Sequence, residues 1–145
     1  MRRLLLAACA ALIVAGCGGS DGLSRKAIAK QADAICAKYS KQGSNLGSPD
    51  LTDPAKAETY FTKAKDLTQK QQDELEDLKP ADSVKADYKK MTDATGEVTT
   101  LLGDLASAAK AKDNKKGVAL IQKLTPLSAK VDSAASAVGA KGCAG

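Results

Sequence analysis

DSVKADYKKMTDATGEVTTLLGDLASAAKAK, residues 82–112, carries Val84, Tyr88, Met91, Thr95, Val98, Leu102, Leu105 and Ala109 at unbroken alternating spacings of four and three. That alternation puts the eight side chains in one stripe along a helix, the seam by which helices pack in bundles and coiled coils. The stretch follows Pro80, which disfavours helix in the residue before it, and precedes Asp113-Asn114, a turn or cap. It predicts a helix over 82–112, and a seam that long needs other helices to cover it.

The neighbouring segments supply them. Ser24 is an N-cap residue followed by Ile28, Ala32, Ile35, Cys36 and Tyr39, which predicts a helix over 24–42. Asp53-Pro54, a cap followed by proline at the first helical position, opens a helix over 54–78 with an apolar face of Ala57, Tyr60, Phe61, Ala64, Leu67, Leu75 and Leu78. Gln71 falls on that face, so it needs a partner or a slightly turned helix. The last helix, 115–138, is read with Val118, Ile121, Leu124, Ser128, Val131, Ala135 and Val138 inward, a kink at Pro126 and a stop at Gly139. Four amphipathic helices with mostly short connections predict an all-α, antiparallel up-down-up-down four-helix bundle.

Ahead of this domain lie Arg2-Arg3, an apolar run from Leu4 to Val14 and the small pair Ala15-Gly16. A run of about a dozen apolar residues is too short to cross a bilayer, which takes about 20, and a basic start with a small-residue cleavage site reads as an export signal. Val14-Ala15-Gly16-Cys17 resembles the lipobox of bacterial lipoproteins. The resemblance implies cleavage between Gly16 and Cys17, removal of 1–16, and a lipid on the Cys17 sulfur. More than one acyl chain would give stable retention, since each buried methylene is worth about 0.8 kcal/mol and a single chain binds only marginally. The expected location is the outer face of the cell membrane, or an outer membrane where the source has one. Residues 17–22 read as the anchor and a short Gly/Ser tether with a reach of about 12 Å, and 23–145 as a single helical domain.

With Cys9 removed and Cys17 lipidated, Cys36 and Cys143 remain as an even pair in an oxidising compartment, which predicts a disulfide. The competing reading, metal binding or redox chemistry, has no Cys-x-x-Cys and no histidine to support it. In an up-down-up-down bundle Cys36 sits about 18 Å up the first helix. Bonding it to Cys143 requires the tail from Gly139 to fold back, or the first helix to sit low.

The chain carries a formal charge of +5, falling to +3 once Arg2 and Arg3 leave with the signal. It has neither a dense basic helix nor an aromatic platform, so no nucleic-acid partner is expected. Without histidine, imidazole-activated nucleophiles and histidine metal sites are excluded, and no enzyme activity, metal or cofactor is expected. Asp73, Glu74, Glu76 and Asp77 form the densest acidic cluster, but without the loop spacing of a calcium site they read as a solvated helix face.

Two features form a candidate interaction face. Lys110, Lys112, Lys115 and Lys116 gather around the last helix-helix turn, where they could meet an anionic wall polymer or an envelope protein, or simply favour a helix dipole and solubility. Gly96 and Gly103 lie seven apart in the seam helix, flanked by Thr92, Thr99 and Ser107. Each costs about 1 kcal/mol against alanine, so either a close approach by a helix, partner or ligand compensates, or the positions are tolerated. Near the tether, Arg25, Lys26 and Lys30 could rest on anionic lipid.

Ala32-Asp33-Ala34-Ile35-Cys36, Leu75-Glu76-Asp77-Leu78-Lys79-Pro80-Ala81 and Gly142-Cys143 also resemble small helical lipoproteins of high-GC Gram-positive bacteria, a resemblance that implies no activity or binding residue. The expectation is a membrane-anchored envelope lipoprotein with a non-enzymatic interaction or scaffolding domain. The alternative is a small-ligand-binding module with its site between helices.

Overall fold

A computed structural model describes residues 22–144 as four helices, α1 (Arg25–Ser44), α2 (Pro54–Glu76), α3 (Asp82–Lys110) and α4 (Asn114–Val138), closed by a short 3-10 turn, Lys141–Cys143. They form the expected antiparallel bundle, with helix ends within two residues of those read from sequence. α3 is the central element, packing along most of its length on both α2 and α4, whereas α1 lies mainly on α2 and the C-terminal turn.

Local chemistry sets most of the ends. Ser24 Oγ accepts from the Ala27 amide at 3.4 Å, Asp53 from the amides of Ala55 and Lys56, and Asp113 from the Lys116 amide at 2.9 Å. α3 has no side-chain cap. Its capping residue Ala81 instead donates its amide to the Leu23 carbonyl, 2.9 Å, while the Leu23 amide donates to Lys79, 2.7 Å. This short parallel bridge ties the start of the described chain to the α2–α3 turn.

The core divides into two clusters. One joins Ile28 and Ala32 of α1, Leu75 of α2, Val84, Tyr88 and Met91 of α3, and Ala134, Ala135 and Val138 of α4. The other, at the opposite end, draws Ala57 and Phe61 from α2, Leu101, Leu102, Leu105 and Ala108 from α3 and Leu120 from α4. Length explains the division. At 1.5 Å per residue the 20 residues of α1 span about 30 Å and the 29 of α3 about 43 Å, so α1 cannot cover the far end of α3.

The seam read from α3 is buried apart from Val98 and Ala109, which are half-buried, and the α3 interior is wider than one stripe, adding Thr92, Ala94, Thr99, Leu101 and Ala108. Its buried threonines need no outside partner. Thr92, Thr95 and Thr99 donate to the carbonyls of Lys89, Met91 and Thr95 one turn back.

α4 corrects the sequence reading. Val118, Ile121 and Ser128 face solvent, and the inward stripe is Leu120, Leu124, Leu127, Val131, Ala134 and Val138, beside which Ala135 is buried as expected. That stripe alternates four and three throughout, whereas the expected one began with two steps of three. A first step shortened to three rotates the stripe off the core, because 3.6 residues make a turn. Pro126 lies exposed inside α4, where it leaves the Gln122 carbonyl without its usual helical donor.

The tail folds back as the cysteine argument requires. Gly139 adopts φ +90° and ends α4; Ala140 is fully buried; the Gly142 amide donates to Asp33 Oδ1 at 2.7 Å. Cys36 and Cys143 are bonded, with α-carbons 5.1 Å apart. Gln71 finds its partner here, its Nε2 donating to Cys36 Sγ at 3.2 Å. No helix among the described residues is long and apolar enough to cross a membrane.

Candidate functional site

Gly16 and Cys17, the expected cleavage and lipid positions, lie outside the described residues. The chain that follows them enters the bundle at the α2–α3 turn. Gly22 presses on that turn so closely that a β-carbon would stand 2.6 Å from the Pro80 carbonyl and the Ala81 nitrogen. Arg25, three residues on, donates to the Ala137 carbonyl and pairs with Asp87 at 3.1 Å, so it binds α1 to α4 and α3. Lys26 and Lys30 remain exposed on the same turn-rich end.

The two glycines of α3 face α2. A β-carbon on Gly96 would meet the Gln72 side chain, with Nε2 at 2.9 Å, and one on Gly103 would meet only the Lys65 stem at 3.5 Å. Gly96 therefore answers a close approach within the bundle, and Gly103 does not. Gly96 also floors an open groove of about 840 Å³ between α2, α3 and α4, whose walls include Gln72, Glu97, Thr100, Leu127 and Lys130. Lys130 reaches across it to Glu97 at 2.5 Å. Its charges are mixed: Asp93, Glu97 and Asp104 stand against Lys123 and Lys130.

The lysines lie elsewhere. Lys110 is 14 residues beyond Gly96, about 21 Å along the helix, so the structure separates the expected interaction face into a groove and a tip. The tip is the end that α1 leaves uncovered. There the three large apolar residues most exposed in the described chain come together: Leu51 at 54 %, Val118 at 57 % and Ile121 at 36 %. With Ala57, Phe61 and Leu105 they line a single apolar pocket of about 180 Å³, to which Asp113, Asn114 and Gly117 of the lysine-bearing turn also contribute.

Of the tip lysines only Lys110 is placed as helix stability favours. Lys110, in the last turn of α3, sits where the dipole favours a cation, and approaches Glu58 at 3.9 Å. Lys115 and Lys116 occupy the first turn of α4, where the dipole opposes a cation, and no acidic residue lies in that turn. Lys112 has φ +56°. It occupies the left-handed position of a Schellman motif, with Lys112 N bonded to Ala109 O at 3.0 Å and Asp113 N to Ala108 O at 2.9 Å. The same pair of bonds closes α4, and there the left-handed residue is Gly139. Among the described residues Lys112, Lys115 and Lys116 have no ion-pair partner.

Elsewhere polar groups are engaged in holding the fold. Glu74, the inner member of the acidic cluster, accepts from Lys38 Nζ and from Tyr39 Oη at 2.7 Å; these bonds hold its carboxyl below the usual carboxylate range. Burial, together with the Glu74 carboxylate, pushes the Tyr39 phenol up. Asp73 and Glu76 accept from Gln69 and Gln72 one turn back. Burial also raises the Tyr88 phenol, whose hydroxyl donates to the Leu75 carbonyl at 2.5 Å. Among the described residues no group of three or more Cys, Asp and Glu could hold a metal ion.

Leu51, Val118 and Ile121 are the site residues that sequence reasoning missed, the last two because they were assigned to the core. The unbroken heptad alternation from Leu120 was the signal that places them outside. Comparison with known proteins finds no matching family model, curated protein or solved structure.

Proposed function

We propose that this chain is a lipid-anchored cell-envelope protein whose bundle is a non-enzymatic interaction domain, held on the outer face of the membrane through Cys17. One observation supports the reading above the rest: the chain leaves the tether and joins the bundle at the α2–α3 turn, while the exposed apolar residues and unpaired lysines occupy the opposite end, about 40 Å away by the length of α3. An anchor at one end and a sticky surface at the other is what a tethered docking domain requires. Exposed apolar residues gathered in one place and rimmed by polar ones are the kind of surface that marks an interaction site. Intact mass spectrometry of the membrane-extracted protein tests the anchor. The expected product begins at Cys17 and carries acyl mass, and Cys17→Ser leaves the membrane fraction. Unaltered fractionation of Cys17→Ser overturns the anchored reading.

A second reading rests on the groove over Gly96, whose volume of about 840 Å³ lies within the roughly 300–1,000 Å³ of small-molecule sites. It predicts a ligand whose binding is blocked by filling the groove from its wall, as in Thr100→Trp. Full retention of a co-purifying ligand by that variant overturns it.

A further inference from the structure

We infer that the tip is a docking site for an acidic amphipathic helix of a partner protein, one apolar side chain of which seats in the pocket among Phe61, Leu105, Val118 and Ile121. This deepens the reading of the bundle as an interaction domain and rests on it. Three features of the tip define the partner. The first is size. A pocket of about 180 Å³ is smaller than the roughly 300 Å³ at which small-molecule sites begin, and suits a single aliphatic or aromatic anchor.

The second is charge. Lys112, Lys115 and Lys116 adjoin in sequence the pocket-lining residues Asp113, Asn114 and Gly117, and all three are exposed. Among the described residues they have no ion-pair partner, whereas Asp113, the one charged residue of the lining, is engaged as the α4 cap. Lys112 holds a left-handed conformation that α4 gives to glycine in the same motif, and Lys115 and Lys116 oppose the α4 dipole. Local rules broken in this way are expected at functional or strained sites, which directs attention to the tip. Unpaired cations beside an apolar pocket call for carboxylates beside an apolar anchor. The third is shape. The tip is made of helix ends and one loop, with no strand edge among the described residues. Its pocket is walled by α2, α3 and α4, a helix-lined apolar recess of the kind against which an amphipathic helix lays side chains three and four apart.

The test pans the full-length chain against a displayed library of random 16-residue helical peptides, with vesicles containing one-third phosphatidylglycerol measured in parallel. The proposal expects enriched peptides with acidic residues flanking apolar positions three or four apart. These peptides should bind Leu51→Ser/Val118→Ser and Lys115→Glu/Lys116→Glu at least about tenfold more weakly, a loss of the size that one anchor residue carries. Lys112→Gly provides a control for folding, since it should raise the thermal midpoint while weakening peptide binding and softening its salt dependence. Peptides without the acidic pattern, peptides that bind these variants as tightly as the parent, or an empty selection overturn the proposal. Tip-dependent binding to the vesicles with no peptide selected also overturns it, and assigns the tip to a lipid surface. The panning is done in solution and is independent of Cys17, so its failure leaves the anchor to be judged by fractionation alone.

Discussion

Gln72 Nε2 lies 2.9 Å from the point where a β-carbon on Gly96 would stand, while the same atom built on Gly103, two turns along α3, meets nothing closer than 3.5 Å. The two glycines therefore differ in what they cost and what they provide. Gly103→Ala should stabilise the protein by up to about 1 kcal/mol, the helix-propensity difference, because the Lys65 stem makes ordinary contact with the new methyl. Gly96→Ala should return less of that gain or reverse it. Its methyl displaces Gln72 from its bond to Glu76 and its 3.4 Å contact with Thr99. Urea midpoints of the two variants decide the matter; equal stabilisation would show that Gln72 moves without penalty.

The bond between Cys36 and Cys143 closes a loop of 107 residues, long enough that the chain-entropy argument assigns it about 4.7 kcal/mol. Cys143→Ala should lower stability by about 2–5 kcal/mol and release the 3-10 turn from α1. Amide exchange should then quicken at Gly142, whose bond to Asp33 depends on the turn staying in place. A non-reducing peptide map of the parent protein showing free thiols at both positions contradicts the bonded pair.

Tyr88 donates to the Leu75 carbonyl from inside the four-helix cluster. Tyr88→Phe should cost about 1 kcal/mol at neutral pH, since Leu75 O keeps the Leu78 amide as a donor. Alkali adds a sign that can be checked. Burial raises the folded phenol above its ordinary value of 10.0, so its contribution is intact below about pH 10 and is lost as pH rises beyond that, when the unfolded chain ionises first. The variant should lose less stability than the parent between pH 9 and pH 11, measured by urea unfolding at each pH.

Asp50 titrates in the opposite sense. Its carboxylate accepts from the Thr52 hydroxyl and amide and pairs with Lys56 at 3.2 Å, and these contacts bring it down to about 2 from 3.8. The stabilisation is therefore present above pH 4 and lost as pH falls toward 2. Proton titration followed at the Thr52 amide should show a midpoint near 2, and Asp50→Asn should remove the pH dependence of that resonance. A midpoint near 4 would mean that the loop before α2 is not held as described.

Four helices, their order and most of their ends were legible in the sequence alone, because caps, prolines and heptad spacing act over a few residues and leave local marks. Ser24, Asp53-Pro54 and Gly139 each perform the role their chemistry predicts. The heptad of α3 was legible for the same reason. The pairing of Cys36 with Cys143 was the expectation once the lipobox resemblance set Cys9 and Cys17 aside, and the two are bonded.

What only the tertiary structure decided was how far each helix is covered. The chain does not state that α1 stops short of the far end of α3, for that depends on where α1 is pinned, and its pins, Leu23 against the α2–α3 turn and Arg25 against Asp87 and Ala137, are contacts over 50 or more residues. The uncovered end turned Leu51, Val118 and Ile121 from ordinary apolar residues into a surface, and left Lys112, Lys115 and Lys116 beside it. Local sequence fixes which face of a helix is apolar; whether something covers that face is a property of the assembled bundle.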